Sequence, residues 1–202
     1  MQLLDHFDET KLEAGCDEAG RGCLAGPVVC ASVILPKGFS HELLNDSKQL
    51  SEKSRNLLRP IIEKEALAYS VQFLHTDEIS ELNILKASLT GMYRAAMDLK
   101  IRPELLLIDG NKALLSNEIP SVPIIKGDGK YKNIAAASVL AKTYRDEYME
   151  NLHLEFPHYG WKVNKGYPTK AHRLAILTHG ACIHHRPGFN LLGKGQLSLF
   201  EE

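Results

Sequence analysis

The 202-residue sequence lacks any apolar run near the roughly 20 residues that a membrane-spanning helix needs. Its opening, Met1-Gln2-Leu3-Leu4-Asp5-His6, has neither the basic start nor the apolar core of a secretory signal, so a cytoplasmic protein is expected. Paired cysteines are missing too. Cys16, Cys23 and Cys30 fall seven residues apart and Cys182 stands alone, whereas a zinc site wants short pairs such as C-x2-C. In that compartment they read as small, reduced, buried side chains. Between Glu155 and Glu201 there is no acidic residue at all. That stretch carries Lys162, Lys165, Lys170, Arg173, Arg186 and Lys194 together with five histidines.

A net charge of −1 therefore conceals a segregation. Outside the basic stretch stand 18 basic against 25 acidic residues, a balance of −7. An acidic part suited to cations beside a basic part suited to phosphates is one reading; a solvated basic face is the plainer one. With 44% hydrophobic and 24% charged residues the composition is that of an ordinary globular protein, one domain in length.

Leu12–Glu18 and Gly26–Leu35 read as strands flanking a glycine-rich turn, the second rich in β-branched residues. Ser51 opens a helix toward Glu65, and Ala68–His75 alternates as a third strand. Thr76-Asp77-Glu78 caps a helical stretch to about Leu99, with room for a break. Glu104–Gly110 is a continuous apolar strand ending at Asp-Gly, as suits a strand covered on both faces. Val122–Ile125 is a short fifth strand, Asn133–Leu152 a long helix with a small-residue start, and Thr169–Thr178 a helix stopped by Gly180. The pattern predicts an α/β fold, a mixed sheet flanked by helices, with a small helical C-terminal part.

Four acids stand where strands end. Asp17 and Glu18 precede a glycine turn, Asp109 closes the apolar strand, and Asp128 lies in Lys126-Gly127-Asp128-Gly129. Strand ends in α/β sheets gather around one crevice. Carboxylates crowded there raise one another's pKa unless a cation sits among them, and hard oxygen donors favour Mg²⁺ or Mn²⁺. A pair of such ions is a standard device for phosphodiester cleavage. Each acid also suits a plain turn. One tension is built in: neighbours on a strand face opposite ways, so Asp17 and Glu18 share a site only if the strand breaks or bulges at Gly20 or Glu18 curls round the edge.

These residues resemble a family. Asp17-Glu18-Ala19-Gly20-Arg21-Gly22 with Leu24-Ala25-Gly26-Pro27-Val28 is similar to the opening signature of type 2 ribonucleases H. In order follow Asn45–Leu50, Asn83-Ile84-Leu85, Ile108-Asp109-Gly110, Lys126-Gly127-Asp128, Ala135–Lys142 with Arg145-Asp146, Lys165–His172, and His185-Arg186. The likeness spans about Gly15 to Phe189. Gly20-Arg21-Gly22, with no further domain before it, favours ribonuclease HII over ribonuclease HIII. Gln49 stands where lysine is usual and Ser88 where threonine is common; neither touches the chemistry.

The resemblance implies a ribonuclease H-like fold over residues 1–190, with 156–190 as the basic helical part. It implies that Asp17, Glu18, Asp109 and Asp128 hold two divalent ions, Mg²⁺ or Mn²⁺. Asp146 is expected to be structural, paired with a nearby cation. The implied activity is hydrolysis of the RNA strand of RNA–DNA hybrids, and cleavage 5′ of ribonucleotides embedded in duplex DNA, leaving 5′-phosphate and 3′-hydroxyl ends. Gly20, Arg21, Gly22 and Tyr167 would sense the ribose, since glycine admits close backbone approach and the 2′-hydroxyl is what distinguishes the sugar. Lys48, Lys142, Lys165 and Lys170 are expected phosphate contacts, and Asn83 and Ser88 further strand contacts. Arg55, Arg94 and Arg102 read as solvated helix-face charges. The tail, 191–202, contains Gln196-Leu197-Ser198-Leu199-Phe200, which resembles the peptide by which bacterial replication proteins dock on the sliding clamp. Gln196, Leu197, Leu199 and Phe200 would anchor it, the alternative being docking on their own domain. A monomer is expected. Competing readings are a DNA-only nuclease or strand-transfer enzyme on the same fold, and a non-catalytic hybrid- or clamp-binding module.

Overall fold

The computed structural model describes residues 3–44, 50–114 and 118–193. In chain order the elements are β1 Glu13–Ala19, β2 Val28–Ile34, α1 Glu52–Glu65, β3 Ala68–Leu74, α2 Thr76–Leu82 and α3 Ile84–Met97. There follow β4 Leu105–Asp109, β5 Ser121–Ile124, a 3-10 turn at Gly127–Gly129, α4 Lys132–Glu155, a 3-10 turn at Pro157–Tyr159, α5 Trp161–Asn164 and α6 Lys170–His179. The strands form one sheet in the order β3-β2-β1-β4-β5. β1 and β2 pair antiparallel, as do β2 and β3, while β1–β4 and β4–β5 are parallel. The sheet is mixed, with β1 at its centre.

Alternation along the strands sorts the two faces. Ala14 and Cys16 of β1, Val28 and Cys30 of β2, and Leu106 and Ile108 of β4 pack with Ala87, Met92 and Ala96 of α3. Ala19, Ala31 and Val33 pack instead with Leu58 and Ile62 of α1 and the alanine-rich start of α4, while Leu105 and Leu107 meet Ile134. On β1 and β4 the odd-numbered residues thus face α4, which puts Asp17 and Asp109 on the same side. Small residues let α4 lie close to the sheet. A Cβ at Gly15 would stand 2.2 Å from the Asn133 and Ile134 backbone, so glycine sets the approach there. Asn133 locks the crossing, its amide donating to the Glu13 carbonyl at 3.0 Å and its oxygen accepting from Leu35 N–H at 2.9 Å.

The helical run after β3 breaks at Asn83, whose φ of 63° ends α2 and whose side chain caps α3 by accepting from Leu85 and Lys86 N–H. Beyond α4 the chain builds a smaller cluster of its own, in which Trp161, Tyr159 and Ile176 bury with Leu24, Ala25 and Met149. No described helix is long and apolar enough to cross a membrane.

Candidate active site

A cavity of about 440 Å³ opens where β1 and β4 end against α4. Asp17, Glu18 and Asp109 line it, with Ser138 and Lys142 from α4. Asp17 is 4% exposed. Burial drives its carboxyl well above the ordinary carboxylate range, and the charges of Glu18 and Asp109 push it further. Hydrogen bonds from the Ser138 hydroxyl and from Glu18 N–H, the latter 2.7 Å, pull the other way without winning. β1 stays in register through Ala19 opposite Val29, so it carries no bulge before the glycine turn. Glu18 pairs with Cys30 on the α3 side, yet lines the same cavity as Asp17. The longer side chain curls round the strand end, where Arg21 meets it at 3.1 Å.

Asp109 accepts Gly127 N–H at 2.7 Å, which ties the end of β4 to the 3-10 turn. Asp128 sits in that turn, 1% exposed and accepting from Gly129 N–H at 3.1 Å. It is not among the residues lining the cavity. The four acids expected to converge are therefore not drawn into a ready set of three or more ligands among the described residues. Glu18 and Asp109 lean toward protein donors, as mutually repelling carboxylates do. The donor chemistry still fits a hard divalent ion, because the charges of Glu18 and Asp109 raise the proton affinity of Asp17 and a dication relieves that repulsion.

The glycine motif and Tyr167 line the same cavity. Gly20 has φ +94°, and a Cβ there would sit 1.9 Å from Arg145 Nε. An added Cβ at Gly22 meets nothing within 4 Å. Packing beneath the loop thus dictates the first glycine, while the second is left open on the cavity side. Tyr167 has cations by its ring, Lys142 Nζ at 5.3 Å and the Arg145 guanidinium at 5.6 Å from the centroid. Lys142 also pairs with Asp146 at 2.8 Å, one turn along α4, the nearby cation expected for that acid.

Several expected contacts lie elsewhere. Ser88 is buried and returns its hydroxyl to the Ile84 carbonyl at 2.9 Å, as a mid-helix serine readily does. Asn83 is committed to its cap. Lys165 is 7% exposed with its ammonium on Glu150 and the Lys162 carbonyl, so it presents no surface charge. Lys170 is exposed at the start of α6. Lys48 and the residues Gln196, Leu197, Leu199 and Phe200 fall outside the described residues. Arg94 and Arg102 do sit on the surface, paired with Glu78 and Glu118. Arg55 corrects the sequence reading: it lines the cavity and donates to the Leu50 carbonyl. The signal was its spacing to Leu58 and Ile62, which places an arginine on the buried stripe of α1.

The family model for ribonuclease HII matches residues 14–191. A ribonuclease HII of Bacteroides thetaiotaomicron is 60% identical over 197 residues, covering 98% of both chains. Among solved structures, ribonuclease H2 from Pyrococcus horikoshii superposes with a TM-score of 0.73 at 25% identity, over 89% of this chain and 94% of the other. The ribonuclease HII of Archaeoglobus fulgidus, solved in a complex with PCNA, gives 0.69 at 26%, over 93% and 99%. With fold, ordered motifs and relatives in agreement over nearly its full length, this chain belongs to the ribonuclease HII family and is a ribonuclease H.

Proposed function

We propose that the protein hydrolyses the RNA strand of RNA–DNA hybrids and cuts 5′ of ribonucleotides embedded in duplex DNA, leaving 5′-phosphate and 3′-hydroxyl ends. Its cellular work is then removal of misplaced ribonucleotides and RNA primers, carried out as a monomer in the cytoplasm. The observation that carries this reading is one cavity lined by both sets of residues, Asp17, Glu18 and Asp109 together with Gly20-Arg21-Gly22 and Tyr167.

Asp17, Glu18 and Asp109, with Asp128 from the adjoining turn, are the proposed ligands of two divalent ions, Mg²⁺ or Mn²⁺. When bound, such ions would supply Lewis-acid stabilisation of the attacking and leaving oxygens at phosphorus. The chain's own residues do the rest. Tyr167 offers a ring to stack on the sugar and a hydroxyl to bond it, and the open side of Gly22 admits a ribose against the backbone. Lys142 and Lys170 supply positive charge to the phosphates, and Arg21, paired with Glu18 at 3.1 Å, adds a guanidinium for the strand. Lys48 joins them in this reading, whereas Lys165 and Ser88 are spent on bonds inside the fold and Asn83 on its helix cap.

Duplexes identical except for one ribonucleotide test the reading. Wild-type protein with Mg²⁺ or Mn²⁺ cuts the ribonucleotide-bearing duplex and leaves its all-DNA twin whole. Equal cutting of both, or cutting that survives a chelator, overturns it. The tail is proposed to dock on the bacterial sliding clamp, a reading supported by the archaeal relative's complex with PCNA. Clamp affinity unchanged in the Leu197→Ala, Phe200→Ala double variant ends that part.

A further inference from the structure

Beneath the glycine motif lie two fully buried arginines, Arg145 and Arg186. Arg145 donates from Nε to the Pro27 carbonyl at 3.1 Å, from Nη1 to Lys165 at 2.8 Å and from Nη2 to Ala25 at 3.2 Å. Arg186 donates from Nε to Gly26 at 2.9 Å, from Nη1 to Arg21 at 3.0 Å and from Nη2 to Pro27 at 3.0 Å. The acceptors are main-chain carbonyls. Burying a cation is expensive, and here two stand near each other: burial and then the like charge of Arg145 bring Arg186 down to about 10. Apolar side chains would avoid that cost but leave the main-chain carbonyls without donors. What the guanidiniums supply instead is geometry, because each planar fork fixes the direction of its acceptors.

Those acceptors belong to two segments that meet nowhere in sequence. One is the loop 21–27, which begins in the glycine motif; the other is the turn that carries Tyr167. Arg145 bonds both, through Ala25 and Pro27 on one side and Lys165 on the other. The backbone repeats the link, with Leu24 N–H on the Gly166 carbonyl at 2.8 Å. In a planar trans peptide the N–H points opposite to the C=O. By drawing the Arg21 carbonyl inward, Arg186 turns the following N–H, that of Gly22, toward the cavity. No main-chain carbonyl among the described residues takes the Gly22 N–H.

We propose that Arg145 and Arg186 are positioning residues for ribose recognition, a buried guanidinium pair that holds the glycine loop and the Tyr167 turn in one fixed alignment. They touch no substrate. Their charge is retained for the direction it imposes on carbonyls on the far side of the recognition surface. The inference rests on the proposed selectivity for ribonucleotides and names the parts that set it.

The test uses Arg145→Lys and Arg186→Lys in the full chain. Lysine keeps the charge but has one donor group in place of a fork. For each variant three quantities are read: the melting temperature, Mn²⁺ affinity by calorimetry, and the cleavage ratio between a one-ribonucleotide duplex and a continuous RNA–DNA hybrid. The inference predicts a folded protein with Mn²⁺ affinity within about twofold of wild type, since the carboxylate wall is separate. The ratio falls by about tenfold or more, mainly in kcat, as expected when positioning fails by a fraction of an ångström. A folded variant with an unchanged ratio overturns it. So does failure of both lysine variants to fold, which would make the pair purely structural. If wild-type protein itself ignores the ribonucleotide, the proposed function fails, and that result is distinct from either.

Discussion

The two walls of the cavity solve opposite electrostatic problems. On the sheet side, buried carboxylates crowd together and repel, so that Asp17 holds its proton far more tightly than a free aspartate does. Under the glycine loop, two buried cations instead donate six hydrogen bonds to main-chain carbonyls. One side is strained toward a ligand; the other is bonded to main chain and acts as frame. Charge alone therefore does not mark the reactive part of a site. Whether the charge is bonded to main chain or crowded by its own kind does.

The sharpest way to break this contrast is to neutralise one member of each wall. Asp17→Asn is expected to cut cleavage at least about 100-fold, the scale on which even outer partners of a metal site act. The metal-free variant should nonetheless melt at a higher temperature than wild type near pH 7. The sign follows from linkage. An aspartate whose folded pKa lies above the unfolded value destabilises the fold as pH rises through that window, and asparagine removes the penalty. Arg186→Met should do the reverse, costing about 3–5 kcal/mol because its carbonyl partners lose their donor inside the protein. Thermal melts of the two variants side by side decide it, and a lower melting point for Asp17→Asn would erase the distinction between walls.

A finer version compares two glycines within one motif. Gly20→Ala must adopt φ +94° and displace Arg145, so a loss of about 2 kcal/mol or more is expected. Gly22→Ala should leave stability within about 0.5 kcal/mol of wild type, as surface changes usually do. Its cost should appear instead as weaker cleavage at single ribonucleotides. Denaturant midpoints and cleavage rates on the same preparations separate the two effects.

The smallest effect expected comes from the histidines that back the Tyr167 turn. His172 Nδ1 lies 2.9 Å from the Tyr167 carbonyl, and His185 lies 3.3 Å from His172. Burial, then the neighbouring His172, lowers His185 from 6.5 to about 4. The unfolded chain takes up that proton first, so stability present above pH 6.5 is lost as pH falls toward 4. The slope of melting temperature against pH between 6.5 and 4.5 should flatten in His185→Gln. An unchanged slope would show that other groups dominate there.

Much of this was legible in the sequence because strands and long helices write their periods over many residues. The alternation of Ala68–Leu74, the apolar run ending at Asp109 and the small-residue start of α4 all mark elements that formed. The conflict between Asp17 and Glu18 was visible too, though only the register of β1 shows the carboxylate rather than the strand bending. What stayed hidden has no period. The four-residue α5 and the turn at Pro157–Tyr159 are too short to repeat. Lys165 gives no sign that its charge is turned inward to Glu150, and nothing in Ser88 announces that it faces its own helix. Arg55 shows the converse, a pattern present but overridden by its charge.

Helix α4 carries Ser138, Lys142, Arg145 and Met149 at successive positions on one face, and it lies pressed to the sheet over Gly15. A hydroxyl for the acidic wall, an ammonium for the cavity and a guanidinium for the frame are thus spaced by a single rigid ruler. One residue inserted between Ser138 and Arg145 would rotate everything after it by about 100°, since a turn takes 3.6 residues. Drift in this segment is therefore confined to substitution, and a change of length anywhere along it would dismantle both walls at one stroke.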